Sequence, residues 1–147
     1  MKKRDLAFLK KVIDQDFPDG EIPSLHDHYW KYEVPEKPGA YILLSHGTRF
    51  IYPHGTSKVV YVGMSSNLKN RIDGHFRNLT KIRSIYLNQI KDYWYYSRYN
   101  YLDRFGCKLY WFVNRKNETP KELESLIIEA FYSRYHSLPI GNGAFSF

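Results

Sequence analysis

Arg71 and His75 lie four residues apart in a segment whose apolar residues recur at helical spacing, so their side chains share one face of the predicted helix. Both lie beside the apolar stripe of that helix rather than opposite it. A guanidinium in this position can bind a phosphate through two hydrogen bonds, with the imidazole as a second donor or a proton carrier. The alternative is a solvent-facing arginine next to a half-buried histidine, without a ligand.

Three glutamates precede the middle of the last predicted helix, and their positions are not equivalent. Glu122 belongs to the capping box at the helix start, and Glu129 lies roughly 130° from the apolar stripe, facing solvent. Glu124 lies about 90° from the stripe, at the rim of the buried face, where its carboxylate can reach a cleft. One carboxylate with waters and substrate oxygens is how Mg²⁺ is usually held at a phosphate. If it holds no cation, Glu124 is an ordinary surface glutamate.

Two tyrosines are predicted to meet at one end of a sheet. Tyr41 begins one predicted strand, directly after Pro38-Gly39-Ala40, and Tyr61 lies near the end of another, just before Gly63. If the two strands pair as antiparallel neighbours, the start of one lies beside the end of the other. The alternative is that both are ordinary strand residues, since tyrosine is common on half-buried strands.

The middle of the chain carries the whole excess of positive charge. The 147-residue chain has a formal net charge of +7, while residues 38–117 hold thirteen Lys or Arg against three Asp or Glu, a net of +10. A positive field concentrated in this way favours polyanions. Residues 93–101 add a run of aromatic side chains, part of which must be core while the rest could stack on bases or enter a groove. A solvated basic surface without a partner is the alternative.

Composition excludes several classes of protein. Hydrophobic residues make up 43% of the chain, which suits one compact, folded domain. No apolar run approaches the ~20 residues of a membrane span, and no secretory signal follows the basic N-terminus, so a cytoplasmic protein is expected. One cysteine, Cys107, excludes an internal disulfide and a multi-cysteine zinc site. Four histidines are discounted as metal ligands, because they stand in turns or lack a third partner: His26, His28, His46 and His54.

The elements that would position these residues follow from periodicity and turn signals. Strands are predicted at residues 40–44, 49–52, 58–62 and 107–113. Helices are predicted at residues 4–17, from Leu68 to Leu79, along a second stripe from Ile82 to Tyr93, and from Thr119, where Pro120 takes the first helical position. This order predicts an α+β fold with helices packed on a small, largely antiparallel sheet. Residues 1–37 are expected to form an N-terminal helix and a proline-rich connector, and residues 38–147 the single main domain.

Two tripeptides resemble the signature of the GIY-YIG nuclease family. They are Gly39-Ala40-Tyr41 and Tyr61-Val62-Gly63, in which alanine and valine replace the family's isoleucines. Further positions match in the order that the family has them, namely an arginine, a histidine four residues on, a glutamate on the last helix and a closing asparagine: Arg71, His75, Glu124 and Asn142. Tyr61 follows Tyr41 by twenty positions, more than is usual in the family, so an inserted strand or loop is expected at residues 45–58.

The resemblance implies hydrolysis of DNA phosphodiester bonds at one active site, with double-stranded DNA as the partner. Glu124 would hold a single Mg²⁺ or Mn²⁺, and Arg71 would stabilise the charge that develops on the phosphate. Tyr41 or Tyr61 would orient or deprotonate the attacking water, with His75 in the same catalytic group. A phenol with a pKa of about 10 needs cationic neighbours to act as a base near neutral pH, and the candidates are Lys58, Lys69, Arg71 and the metal. The further positions expected at the substrate are Gly39, Lys58, Gly63, Lys69 and Asn142.

Three classes of function remain open. The first is a small endonuclease of the restriction, homing or repair kind, and the second is a non-catalytic nucleic-acid-binding module on the same fold. The third is a basic interaction domain with no polynucleotide partner. The presence of both tyrosines, Arg71 and Glu124 favours the enzyme. DNA recognition is then expected from the N-terminal segment, the 45–58 insertion, the aromatic run or homodimerisation.

Overall fold

The computed structural model of the protein describes residues 19–25, 33–88 and 97–143. The strands of this part are β1 (Gly20–Ile22), β2 (Gly39–Leu44), β3 (Phe50–Tyr52), β4 (Gly55–Ser57), β5 (Val59–Ser65) and β6 (Lys108–Val113). The helices are α1 (Leu68–Asn88), α2 (Ser97–Phe105), α3 (Pro120–Tyr135) and the short α4 (Ile140–Gly143).

Four strands form one antiparallel sheet, in the order β1-β6-β2-β5. Strand β2 lies between β5 and β6, and in this register Tyr41 is opposite Gly63 on one side and Trp111 on the other. All six residues of β2 are buried, because both faces of the sheet are covered. Strands β3 and β4 pair with each other in a separate two-stranded sheet.

The side chains of β2 alternate between two apolar clusters, as the period of a strand requires. On one face, Ala40, Ile42 and Leu44 pack with residues of α3 that recur at helical spacing: Leu123, Ile127, Ala130 and Phe131. On the opposite face, Tyr41 and Leu43 pack with apolar residues of α1 and α2: Leu68, Ile72, Leu79 and Leu102. The sheet therefore separates α3 from α1 and α2.

Helix α3 begins where the capping box predicts. The side chain of Thr119 accepts a hydrogen bond from the backbone N–H of Glu122 at 3.1 Å, and Pro120 opens the helix. Strand β6 ends at Val113, opposite Gly39, and only residues 114–119 lead into the helix, so the first turn of α3 lies at the Gly39 end of the sheet. The last turn lies near the β3–β4 hairpin, where the carbonyl oxygen of Tyr135 accepts a hydrogen bond from the backbone N–H of His54 at 3.3 Å.

The α+β class, with helices packed on an antiparallel sheet, is confirmed. Residues 45–58, expected to add a strand or loop, contain the β3–β4 hairpin. Strand β1 joins the sheet from within the predicted connector, and α1 continues without a break through the first part of the second predicted stripe. The apolar pattern predicts neither β1 nor α2, and the helix predicted at residues 4–17 lies outside the described residues. No helix in the described part of the chain has the length and apolar character needed to cross a membrane.

Candidate active site

Tyr41 and Tyr61 lie on the same face of neighbouring strands, as antiparallel pairing predicts. In the register of β2 and β5, Gly63 is opposite Tyr41 and Tyr61 is opposite Leu43. The ring centroids of the two tyrosines are 6.2 Å apart. Tyr41 is fully buried and Tyr61 is half-buried, so Tyr61 is the member of the pair with access to solvent.

Gly39 and Gly63 are required by close approach around Tyr41. A Cβ at Gly63 would collide with the hydroxyl end of the Tyr41 ring, so the phenol occupies space that a side chain would otherwise fill. A Cβ at Gly39 would collide with the carbonyl oxygen of Phe112 on β6. Gly39 therefore lets β2 lie close to β6, and Gly63 leaves room for the Tyr41 ring.

The Tyr41 hydroxyl is held by two side chains of helix α1. The Nε of Arg71 donates a hydrogen bond to it at 3.2 Å, and the Nε2 of His75 lies 2.7 Å from the same oxygen. The spacing of four residues brings both groups to one face of the helix, as predicted. Arg71 is nevertheless an exposed residue, so its guanidinium connects a buried hydroxyl to the surface.

His75 is uncharged at neutral pH. The residue is only 1% exposed, and burial, reinforced by the charges of Arg71 and Arg98, lowers the pKa of His75 to about 3. A neutral imidazole uses one nitrogen as donor and the other as acceptor. In one tautomer Tyr41 donates its proton to Nε2, and in the other the phenol oxygen accepts hydrogen bonds from both His75 and Arg71. Either way the ring is a hydrogen-bond partner of Tyr41 and too weak a base to carry a second proton.

Arg98 completes the group from helix α2. Its guanidinium carbon lies 4.1 Å from the centroid of the Tyr61 ring. Sequence reasoning does not select this residue, because no motif surrounds it, and the one available signal is that it is the only basic residue in the aromatic run 93–101. We call the five residues Tyr41, Tyr61, Arg71, His75 and Arg98 the tyrosine cluster.

Asn142 fixes strand β5 beside Tyr61. Its side-chain Oδ1 accepts a hydrogen bond from the backbone N–H of Val62, and its Nδ2 donates one to the carbonyl oxygen of Val62, each at 2.9 Å. Asn142 is buried, so water does not compete for these bonds. What Asn142 contributes to the tyrosine cluster is the position of β5.

Glu124 lies apart from the tyrosine cluster. It belongs to α3, which covers the opposite face of the sheet, although the first turns of α3 lie at the same end as Gly39. Its side chain is 14% exposed and forms an ion pair with Lys121, whose Nζ lies 3.0 Å from Oε1. A carboxylate that reaches solvent can bind a hard cation whose remaining ligands are waters, so the chemistry of Glu124 fits a single Mg²⁺ or Mn²⁺. Within the described ranges, no group of three or more His, Cys, Asp or Glu could hold a metal ion.

The two lysines expected near the phenols have different positions. Lys58 precedes β5, where its carbonyl oxygen accepts a hydrogen bond from the backbone N–H of Ser45 at 2.9 Å. Five residues of strand, roughly 16 Å, separate Lys58 from Gly63. Strand direction therefore places Lys58 before the opposite end of β5 from Gly63, the residue opposite Tyr41. Lys69 is exposed in the first turn of α1, and its distance of two residues from Arg71 directs it to another side of the helix.

Two of the discounted histidines make contacts of their own. His46 Nε2 lies 3.0 Å from the carbonyl oxygen of Pro23, and His54 stacks on His136 with ring centroids 3.8 Å apart. His26 and His28 lie outside the described residues, as does the start of the aromatic run. Near the end of that run, the ring of Tyr101 packs against Phe50 at 5.6 Å between centroids, which is a core contact.

Comparisons with protein-family models, with curated proteins and with solved structures find no match for this chain. The tyrosine cluster and Glu124 are therefore the features that bear on its function.

Proposed function

We propose that this protein is a divalent-metal-dependent endonuclease of the GIY-YIG type, which hydrolyses phosphodiester bonds of double-stranded DNA. The proposal is carried by the Tyr41 hydroxyl, which is fully buried and has both Arg71 and His75 as partners, beside a second tyrosine. A buried hydroxyl needs only one hydrogen-bond partner, so burial alone does not require the second partner of Tyr41. An arginine that also reaches the surface adds what a phosphate requires, namely a cation in reach of the substrate.

Arg71 is the residue that would bind the scissile phosphate. Because its Nε lies on the Tyr41 oxygen while the residue is exposed, a phosphate bound by this guanidinium would lie close to the phenol. The positive charge matters most when negative charge develops in the transition state. Tyr41 or Tyr61 would orient or deprotonate the attacking water, and neutral His75 would hold the Tyr41 hydroxyl in place.

Glu124 is the residue that would hold a single Mg²⁺ or Mn²⁺. Such an ion, when bound, supplies a Lewis acid and neutralises charge at the phosphate. Lys121, the ion-pair partner of Glu124, is 71% exposed and can move into water when another cation takes its place. Glu124 and the tyrosine cluster lie on opposite faces of the sheet, at the same end, so a shared site would have to form around that end of the sheet.

Cleavage of supercoiled plasmid in Mg²⁺, Mn²⁺ or EDTA tests the proposal. We expect cleavage with either metal and none in EDTA. Glu124→Gln preserves size and helix propensity, so it should leave the fold intact and lower the rate by at least about 100-fold. Glu129→Gln, an exposed position on the same helix, is the matched control and should cleave like the wild type. Cleavage at the wild-type rate by Glu124→Gln would overturn the role of Glu124. An equal loss of rate in Glu129→Gln would show that the effect is not specific to Glu124.

A non-catalytic DNA-binding module is the second candidate. The observation that favours it is the ion pair of Glu124 with Lys121 on the face of the sheet away from Tyr41. In that case the plasmid stays intact with every metal, while a gel-shift assay still detects binding of a DNA duplex.

A further inference from the structure

Helix α2 contributes a side chain to the tyrosine cluster, although none of the signature positions lies on this helix. Leu102 anchors α2, since it is fully buried in the same apolar cluster as Leu68 and Ile72 of α1. Arg98 precedes Leu102 by four residues, so both side chains lie on the packed face of α2. Arginine is mostly exposed in folded proteins. Arg98 is instead half-buried, with its guanidinium over Tyr61.

Gly141 of α4 lies close to both Arg98 and Tyr61. A Cβ at Gly141 would lie 2.7 Å from the carbonyl oxygen of Val60, 3.1 Å from the Cβ of Arg98 and 3.3 Å from the Cβ of Tyr61. Only a residue without a side chain lets these segments meet so closely. The next residue, Asn142, binds β5 through two hydrogen bonds. Helix α2 and strand β5 are thus held together at the point from which Arg98 and Tyr61 project.

The guanidinium of Arg98 covers one face of the Tyr61 ring, and the centroids of Tyr41 and His75 each lie 6.2 Å from that of Tyr61. A cation over an aromatic face is attracted by the electron-rich ring and restricts its orientation. The charge of Arg98 also helps to keep His75 neutral. Tyr61 is the half-buried tyrosine of the pair, so its ring depends on such a contact more than the enclosed ring of Tyr41 does.

We propose that Arg98 is a positioning residue that fixes the Tyr61 ring in the tyrosine cluster, so that the Tyr61 hydroxyl is placed for phosphodiester hydrolysis. The inference rests on the proposed endonuclease function. It adds to that function a residue from a helix that carries none of the family's signature.

A double-mutant cycle on single-turnover cleavage of a DNA duplex in Mg²⁺ tests this role. Arg98→Gln is expected to lower the rate by about 10-fold or more, with DNA affinity changed by less than about threefold. Arg98→Lys should recover most of the rate, because an ammonium can also lie over the ring. In the Tyr61→Phe background there is no hydroxyl to place, so Arg98→Gln should have less than about a twofold effect. Equal losses in the two backgrounds would overturn the inference.

Arg104→Gln is the matched control for this cycle. Arg104 lies on the same helix, is exposed, and has its guanidinium carbon 5.6 Å from the centroid of Phe105, outside the tyrosine cluster. This substitution removes the same charge from α2 and should leave the cleavage rate unchanged. A loss equal to that of Arg98→Gln would mean that the charge of the helix, not the contact with Tyr61, is responsible.

NMR of protein labelled with ¹³C at its tyrosine rings gives a readout that does not depend on cleavage. Arg98→Gln should shift the ring signals of Tyr61 and leave those of Tyr52, in the other apolar cluster, unchanged. Unchanged Tyr61 signals would overturn the inference even in an active enzyme. If the wild type does not cleave and the Tyr61 signals still shift, the positioning of Tyr61 is supported and the endonuclease proposal fails.

Discussion

The hydroxyl of Tyr41 joins strand β2 to helix α1 through partners of unequal exposure. Arg71 is open to solvent, whereas His75 is enclosed by the core. Burial disfavours the protonated form of an imidazole, so the folded state is favoured at a pH where His75 is neutral. His75 should therefore contribute to the pH dependence of the stability of the protein.

We expect the free energy of unfolding to fall as the pH is lowered below about 6.5, the pKa of an unperturbed histidine. In the folded protein the pKa of His75 is about 3, so below the unfolded value only the unfolded chain takes up the proton. The contribution of His75 to the free energy of unfolding is fully present above the pKa that this residue has in the unfolded chain. As the pH falls below that value, the contribution decreases by up to about 1.4 kcal/mol per pH unit. Urea unfolding of the wild type and His75→Gln between about pH 5 and pH 8 measures this difference.

His75→Gln should be less stable than the wild type near pH ~8, and its free energy of unfolding should decrease less than that of the wild type as the pH is lowered to about 5. His54→Gln, at an exposed histidine that stacks on His136, is the control for replacing a histidine outside the tyrosine cluster. Parallel curves for the wild type and His75→Gln would show that His75 takes up its proton equally in both states.

Among the secondary-structure elements, helix α4 is the shortest helix described, and it has a large effect on the positions of its neighbours. Gly141→Ala would place a methyl group against Val60, Arg98 and Tyr61. We expect a loss of roughly 1–3 kcal/mol in the free energy of unfolding, because α4 must move away from β5. The same movement should lower the rate of cleavage by displacing Tyr61. Chemical denaturation and single-turnover cleavage measure the two effects.

Gly47→Ala is the control for this prediction. A Cβ at Gly47 meets no other atom within 4 Å, so the substitution should change stability by less than about 0.5 kcal/mol. If Gly141→Ala were as harmless as Gly47→Ala, the contact of α4 with α2 and β5 would be looser than the structure indicates.

The main strands and helix α3 can be predicted from the sequence because their signals are local. A short apolar run between turn residues identifies β2, and a threonine cap followed by proline identifies the start of α3. Predicting that Tyr41 and Tyr61 lie close together needs one further assumption, namely that their two strands, which are close in sequence, pair in antiparallel fashion. Strand β1 has three residues, and its pairing with β6 joins segments about ninety positions apart, so no local signal exists. Arg98 reaches Tyr61 only through the packing of α2 and α4.

At the scale of the whole molecule, charge is unevenly distributed along the sequence. Residues 38–117, which include α1, α2 and the tyrosine cluster, have a net charge of +10, and residues 118–147, which include α3, have two Lys or Arg against four Asp or Glu. A polyanion is therefore attracted to the segment of the chain that includes Arg71.

DNA affinity should fall steeply with salt, because each phosphate contact releases a counterion. We expect a slope of about 0.9 per contact in a plot of log affinity against log salt, measured by fluorescence anisotropy on a labelled duplex. Lys69→Gln, at an exposed position in the first turn of α1, should reduce the slope by about one. Arg134→Gln, exposed in the last turn of α3, is the control and should leave it unchanged. A slope near zero for the wild type would argue against a polyanionic partner.

The two hydrogen bonds between Asn142 and Val62 have a consequence for the solubility of the protein. Strand β5 is one of the two edge strands of its sheet, and the backbone groups of such a strand can pair with another chain and start aggregation. Both the N–H and the C=O of Val62 bind the Asn142 amide, which donates and accepts as a neighbouring strand would. The asparagine thus covers the open edge of the sheet at its middle, and the contact that holds Tyr61 in place also keeps a second molecule from extending the sheet.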